Sequence, residues 1–583
     1  MQSIDRQPGY CASFLEISKG RKISLAVLAL LAGTTLIHAA PSGGTVTSGS
    51  ANIAQSGSTT TVTQTTPKAS INWNRFSVGT SEAVNFVQPS IASITLNRVI
   101  GNEKSVIDGA LNANGQVWIL NSNGVLFGKN ASISTSGLLA TTQTLSDADF
   151  QAGEYSFKGD SSASVINLGT IEINNGGYAV LLADSVDNEG TIKAIKGDVT
   201  LTGAREATIN LNGNSLVSLK VDKGVLDALV ENKGAIYADG GKIYLTANAV
   251  NDLLKGVVNQ TGILEADSID DLTGEIILYA HGGTTNVGGT LSAIGGTIET
   301  SGENLHVSQD VGIKAKEWVL DPTDITVQDG GGTNILGSTM DADTITTVLN
   351  GGTNVTLSAT GDIHVNEDLV WSGATYLRLT AGDEIYVNAA ITNTNTTYGG
   401  VYFSAANTTS KVIFGTDGLV TIYNPYQLQW SSRAVNGKYA LGGNINASVT
   451  STWNSGAGFV PIGTNVSPFT GTFDGNGYTI DGLSAHWSGY YFIGLIGYAG
   501  SGATIHDVGL TNASIIGSYY VGGLVGIATM PIFTMHMHKG ASAVFRPSAD
   551  SWGIIITERL IERMLRVAFL ERAILSADWS VKI

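Results

Sequence analysis

Two groups of carboxylates have residue types that could do chemistry: Asp267, Asp270 and Asp271, and further along Asp474 and Asp481. Paired carboxyls roughly 5–10 Å apart can cleave a glycosidic bond, and several oxygens together can hold Ca²⁺. Neither group reads that way in its context. Asp270-Asp271 runs into Leu272-Thr273-Gly274 as a turn, and Asp474 and Asp481 lie in Gly/Asn-rich turns. No basic residue stands in register with either group to neutralise a sugar carboxylate. The eight histidines are scattered; His536 and His538 are neighbours, but no two others form a ligand set with Cys or carboxylates. The nonapeptide Ca²⁺ pattern Gly-Gly-x-Gly-x-Asp does not recur. The expectation is therefore no catalytic residue, no metal and no cofactor. Asn-x-Ser/Thr triplets at Asn130, Asn354, Asn395, Asn407, Asn446, Asn465 and Asn512 are sugar-acceptor candidates, although a chain this rich in Asn, Ser and Thr makes many by chance.

The elements that would position such groups are short strands. Of 583 residues, 73 are Gly, only 10 are Pro and 14% are charged, while 43% are hydrophobic, enough for a core. Ser, Thr, Asn and Gly fill the polar positions, which suits stacked β-coils with tight turns. A net charge of −17 argues against nucleic-acid binding and favours solubility of a β-rich chain.

Repeats decide the architecture. Asn354-Val355-Thr356-Leu357-Ser358-Ala359 returns at Tyr376-Leu377-Arg378-Leu379-Thr380-Ala381, an offset of 22, and Ile363-His364-Val365 returns at Ile385-Tyr386-Val387 with the same offset. Asn167-Leu168-Gly169-Thr170-Ile171 recurs from Asn188 and again from Asn232. Ile243-Tyr244-Leu245 has its companion at Ile276-Ile277-Leu278. Units of 20 to 30 residues cannot bury a face alone and must stack on their neighbours. Apolar residues alternate with polar ones and helical periodicity is absent across most of the chain. These features predict an all-β fold, a right-handed parallel β-helix with about three strands per coil. A string of β-sandwiches would not keep one offset through two strands and a turn.

Residues 71–142 carry a more specific pattern. Asn121-Ser122-Asn123-Gly124-Val125-Leu126-Phe127-Gly128 lies at its centre, flanked by Trp73, Asn85-Phe86-Val87-Gln88-Pro89, Leu96-Asn97-Arg98-Val99 and Gln116-Val117-Trp118-Ile119-Leu120. This closely resembles the secretion domain of two-partner secretion exoproteins, the filamentous haemagglutinin and high-molecular-weight adhesin family. The family motif usually reads Asn-Pro-Asn-Gly, so Ser122 departs from it. The resemblance implies an outer-membrane β-barrel transporter as partner, with Asn97, Asn121, Asn123 and Gly124 serving in transporter recognition or as a folding nucleus. The residues themselves equally allow that they only shape tight turns.

Further landmarks divide the chain. Residues 1–40 read as a signal peptide: Lys19, Arg21 and Lys22 flank an apolar run at 23–37, followed by His38-Ala39-Ala40. The single cysteine, Cys11, falls inside it, so a chain cleaved there has no thiol to cross-link in an oxidising periplasm. Residues 41–294 form the expected secretion domain and 295–420 further coils. Trp318-Val319-Leu320-Asp321-Pro322-Thr323-Asp324 resembles a junction of the high-molecular-weight adhesins; its expected role is a turn where Asp-Pro ends the ladder and Trp318 covers a coil end. Residues 421–528 resemble the Gly-rich GLUG repeats of bacterial surface proteins, as in Ile493-Gly494-Leu495-Ile496-Gly497 and Val521-Gly522-Gly523-Leu524-Val525-Gly526. Residues 529–583 break the pattern, gathering four of six methionines and a helical pattern from Glu558 capped by Thr557. This tail reads as an end cap or as an unrelated segment joined by a shifted or fused reading frame.

The expected function is a non-enzymatic, secreted or surface-displayed filamentous adhesin of a Gram-negative bacterium. It would pass the periplasm and leave through its transporter to meet a host-cell or matrix receptor of unknown identity. The alternatives are the carrier stalk of a contact-dependent toxin and a β-helix carbohydrate-active enzyme.

Overall fold

The structure is a computed structural model. It describes residues 40–249, 256–330, 338–405 and 411–529, together with the backbone of Thr534–Met537. The signal-like segment with Cys11 and the helical pattern from Glu558 lie outside the described residues, as does Asn407.

The described residues from Ala40 onward belong to one compact unit. Its first strands supply an antiparallel start: Thr45–Ser48 pairs with Lys68–Trp73, and Ala51–Ser56 forms a hairpin with Thr59–Gln64. From there strand pairing turns parallel, with Thr59–Gln64 beside Ala83–Val87 and Lys68–Trp73 beside Ile94–Val99. The antiparallel hairpin occupies the edge that an unfinished parallel sheet would leave open. Each following coil contributes three strands, for example Ser105–Ile107, Ala110–Ala113 and Gln116–Leu120, then Val125–Phe127, Ser132–Thr135 and Gly137–Thr141. This is the parallel β-helix that the repeats predict.

Sequence repeats become neighbouring rungs. Val355 faces Leu377 and Ile363 faces Ile385, in the register that the offset of 22 sets. Ile243 faces Ile276. One inward column runs Val117, Leu138, Ala179, Val199, Ile243, Ile276, Ile298, Trp318, Val355, Leu377 and Val401, all buried. Trp318 therefore does not cover a coil end. It is fully buried in mid-column, its Nε1 donating to Thr300 Oγ1 at 3.1 Å, and the ladder continues on both sides. The ladder also runs unbroken across the 294/295 boundary within strand Thr290–Val307, and strand Leu419–Ile422 straddles 420/421. Beyond 528 the pairing persists, with Thr534–Met537 parallel to Thr504–Thr511.

Over four consecutive coils, the end of the first strand holds a ladder of buried amides. Asn167 Nδ2 donates to Asn188 Oδ1, Asn188 Nδ2 to Asn232 Oδ1, and Asn232 Nδ2 to Gln260 Oε1, each at 2.7 Å. All four residues are fully buried. Two residues later comes a column of glycines. A Cβ on Gly190 would lie 2.1 Å from the carbonyl oxygen of Gly169, so any side chain there would push the coils apart.

The outward face of the third-strand sheet is also covered. A segment leaving after Thr141 forms helix Asp147–Ala152 and strand Tyr155–Lys158, and one leaving after Gly203 adds Glu206–Asn212 and Ser215–Lys223. The three strands form an antiparallel sheet over Leu96, Trp118, Leu139 and Val180, making a second apolar core. Trp118 meets Phe150, Tyr155 and Phe157 edge-on, and its Nε1 donates to the buried Tyr178 hydroxyl at 2.7 Å.

Beside the amide ladder, Asp187 is 2% exposed. Burial, with Glu231 and Glu189 nearby, outweighs the Lys233 ammonium 3.5 Å away and pushes its carboxyl up to about 6. A carboxyl raised above its unfolded value of about 3.9 adds stability below that value and loses it as pH rises through 6. Asp187→Asn is therefore expected to raise the unfolding free energy by about 2–3 kcal/mol at pH 7.5 and by only about 1 kcal/mol at pH 4.5. Urea titrations at both pH values test this, and a loss at pH 7.5 would show that the Lys233 pairing outweighs burial. Asn188→Ala, which strands amides on both neighbouring coils, is expected to cost about 2–4 kcal/mol in the same assay.

Candidate functional site

Asn121-Ser122-Asn123-Gly124 forms the turn between strands Gln116–Leu120 and Val125–Phe127. The Gly124 N–H donates to the Asn121 carbonyl at 2.9 Å, closing four residues. Asn121 opens the turn, its Oδ1 accepting the Asn123 N–H at 2.9 Å, and Gly124 takes φ +103°, which side chains resist. Ser122 occupies the second position, where proline suits such turns but no special backbone is required. The tetrad thus survives the loss of the family's proline.

The turn is fastened to the preceding coil. Asn121 Nδ2 donates to Glu103 O at 3.0 Å and to Ser105 Oγ at 2.9 Å, while Asn123 Nδ2 donates to Gly101 O at 3.0 Å. On the other side Ser161 Oγ donates to Ser122 O at 2.5 Å. Asn121 is 1% exposed, whereas the Ser122 side chain faces solvent. The asparagine amides are thus turned into the coil stack.

Asn97 sits elsewhere. It points into the core from strand Ile94–Val99, between Ile71 and Ile119 on adjacent rungs. Its Oδ1 accepts the Trp73 indole N–H at 3.0 Å and its Nδ2 donates to Trp118 O at 3.2 Å. Among the described residues no hydrogen bond links it to the tetrad. Sequence reading missed the corner network beside it: Gln88 Nε2 donates to Thr95 Oγ1 and Gln116 O, and Gln64 Oε1 accepts from Thr95. The signal was a run of glutamines at strand ends, legible only once the coils are stacked.

The carboxylate groups are engaged as turns. Asp267 Oδ1 accepts from Ser292 Oγ and the Ile294 N–H, and Asp270, at φ +54°, pairs with Lys196 at 2.9 Å, so stacking of distant coils does bring a basic residue to this group, against the expectation of none. Asp481 accepts from Thr511 and Asn512, which hold its carboxyl below the usual range. Asp474 departs from the expectation of scattered histidines. His506 Nδ1 lies 3.3 Å from Asp474 Oδ1 and 3.1 Å from Asp507 Oδ2, bringing together groups 32 positions apart on neighbouring rungs. This is an imidazole shared by two partly exposed carboxylates.

Residues 37–293 match the family described as TPS secretion domain. Those residues are similar to the secretion domain of two-partner secretion exoproteins. A heme/hemopexin-binding protein of Haemophilus influenzae is 34% identical over 270 residues, which are 44% of this chain and 29% of that protein. A second protein of that description from the same species is 27% identical over 283 residues, 44% of this chain and 30% of the relative. The match to these exoproteins thus covers less than a third of their length. The crystal structure of the HMW1 secretion domain from Haemophilus influenzae is similar at 24% identity with a TM-score of 0.46, over 65% of this chain and 100% of that one. Exoproteins of this family are secreted or surface-exposed in Gram-negative bacteria, and the domain implies a cognate outer-membrane transporter.

Two substitutions probe the tetrad. Ser122→Pro is expected to stabilise the purified chain by about 0.4–1 kcal/mol through a stiffer unfolded state. Asn121→Ala is expected to cost about 2–3 kcal/mol, since it leaves Ser105 and Glu103 without their partner. Thermal midpoints moving in opposite directions would bear this out; a destabilised proline variant would contradict the turn geometry.

Proposed function

We propose that this exoprotein is an adhesin, delivered through the cognate transporter and displayed or released as a β-solenoid. The observation that carries the reading is the tetrad's geometry within a matched secretion domain. Asn121 and Asn123 tie one coil to its predecessor through three side-chain hydrogen bonds that form only when the coils meet, and two more within the turn hold the asparagines in place. In the extended chain those amides are free for the transporter to read. In the folded chain they are consumed. The same residues thus serve recognition first and nucleation second, and coils then add on an existing template as the chain emerges. A long repetitive surface suits weak multivalent attachment to host cells or matrix. Export by an N-terminal signal peptide belongs to the same proposal.

The names of the Haemophilus relatives raise haem or hemopexin capture as a second reading for the exported chain. The toxin-carrier and carbohydrate-enzyme alternatives have less support, because the carboxylates considered for catalysis are tied into turns.

Export of the chain with and without a cognate outer-membrane barrel tests the proposal. Transporter-dependent appearance of a protease-resistant β-rich product outside the cell, cut at least tenfold by Asn121→Ala/Asn123→Ala, is the expected result. Equal release without the transporter, or undiminished release of the double variant, would overturn it.

A further inference from the structure

Arg378 and Arg433 are exposed, and among the described residues neither forms an ion pair with a carboxylate. The chain has 48 acidic and 31 basic residues, so arginines kept clear of acids call for a reason. Both guanidinium groups lie over the same ring, Tyr402, at 5.5 and 5.1 Å from its centre, and Arg378 also lies over Tyr376 at 5.4 Å. Stacking on aromatic faces holds a guanidinium plane while leaving its in-plane N–H fork available for a planar anion. In the adjacent column, Glu317 accepts from Thr356 Oγ1 at 2.6 Å.

Aromatic rings continue from this clamp. Trp430 meets Tyr402 edge-on at 5.7 Å and Tyr398 at 5.9 Å, and Tyr398 is 38% exposed. The supporting shell is fixed. Helix Pro425–Trp430, which carries Trp430 and leads to Arg433, is capped by the buried Asn424, whose Oδ1 accepts from the Tyr426 and Gln427 N–H groups. Asn424 Nδ2 reaches back to Asn395 O and Gly399 O, and Gln427 Nε2 to Asn393 O, so the helix is bolted to the previous coil.

We propose that Arg378, Arg433, Tyr402 and Trp430 form a binding site for a sugar bearing a carboxylate, as at the end of an acidic glycan. The guanidinium groups beside Tyr402 pair with the carboxylate, and the half-buried rings accept the C–H face of the pyranose. The net charge of −17 opposes long polyanions such as nucleic acid at a distance, whereas a single carboxylate feels chiefly the two local cations. The site lies in the coils after the secretion domain. It rests on the adhesive reading only for its setting, because binding is measured on purified chain irrespective of how that chain leaves the cell.

Titration calorimetry of the full purified chain tests the site with trigalacturonate, its methyl ester, a tetra-aspartate peptide and single-stranded DNA. The expected result is saturable binding of trigalacturonate, at least tenfold weaker for the methyl ester. Arg378→Gln and Arg433→Gln should each weaken it at least tenfold with an unchanged melting curve, while Tyr402→Phe, which keeps the ring, should stay within threefold. Absence of saturable binding, equal affinity for the ester, unaffected arginine variants, or tighter binding of the peptide or DNA would overturn the proposal.

Discussion

Among the described residues, the strands of the coil stack find their backbone partners in the coil before and the coil after. That constraint governs the rest. A strand of three to six residues forms no stable pair alone, and parallel pairing requires both faces of the ladder to be aligned at once. Register is therefore set by what stacks on itself: aliphatic side chains along the inward columns, amides in the Asn167–Gln260 ladder, and glycines where two turns approach too closely for a Cβ. Like-on-like stacking is also why the repeats are visible in the sequence at all.

What the sequence made legible follows from that. Offsets of 21 and 22 predicted rungs that the structure realises residue for residue, as at Val355 and Leu377 or Asn167 and Asn188. The covering sheet over Trp118 was not foreseen, although the strands beneath it carry a sign. Gln116–Leu120, Gly137–Thr141 and Tyr178–Ala183 are apolar on both faces, as strands buried on two sides must be. The misplaced Trp318 has a similar origin: a bulky ring next to Asp-Pro suggests an end, whereas three-strand coils place corners beside their core at every turn. His506 joined Asp474 and Asp507 through stacking of coils whose local sequences differ, so no spacing rule announced it.

The tetrad was legible as a turn and as a family mark, but its inward aim was not. Asparagine is equally at home displaying its amide to solvent or closing a turn with it. Only the positions of the Glu103 carbonyl and Ser105 hydroxyl decide between them. On the proposed reading, recognition and folding draw on one set of donors, which lets the state of the chain determine which of the two is served.

The insertions leave the coil stack at one recurring corner. Residues 142–163 and 204–228 both depart after the third strand, and the following strands, Ser164–Asn167 and Leu229–Asn232, re-enter in the same alignment with the coil they left. Extra chain at that corner costs the ladder nothing, and the turn before the third strand also varies, since Ile236 and Ile243 keep register with Leu264 and Ile276 across turns of different length. Lineages of such proteins are thereby free to diversify by hanging new modules from their corners while the rungs keep their alignment, and the same corners are where a foreign epitope or enzyme could be grafted.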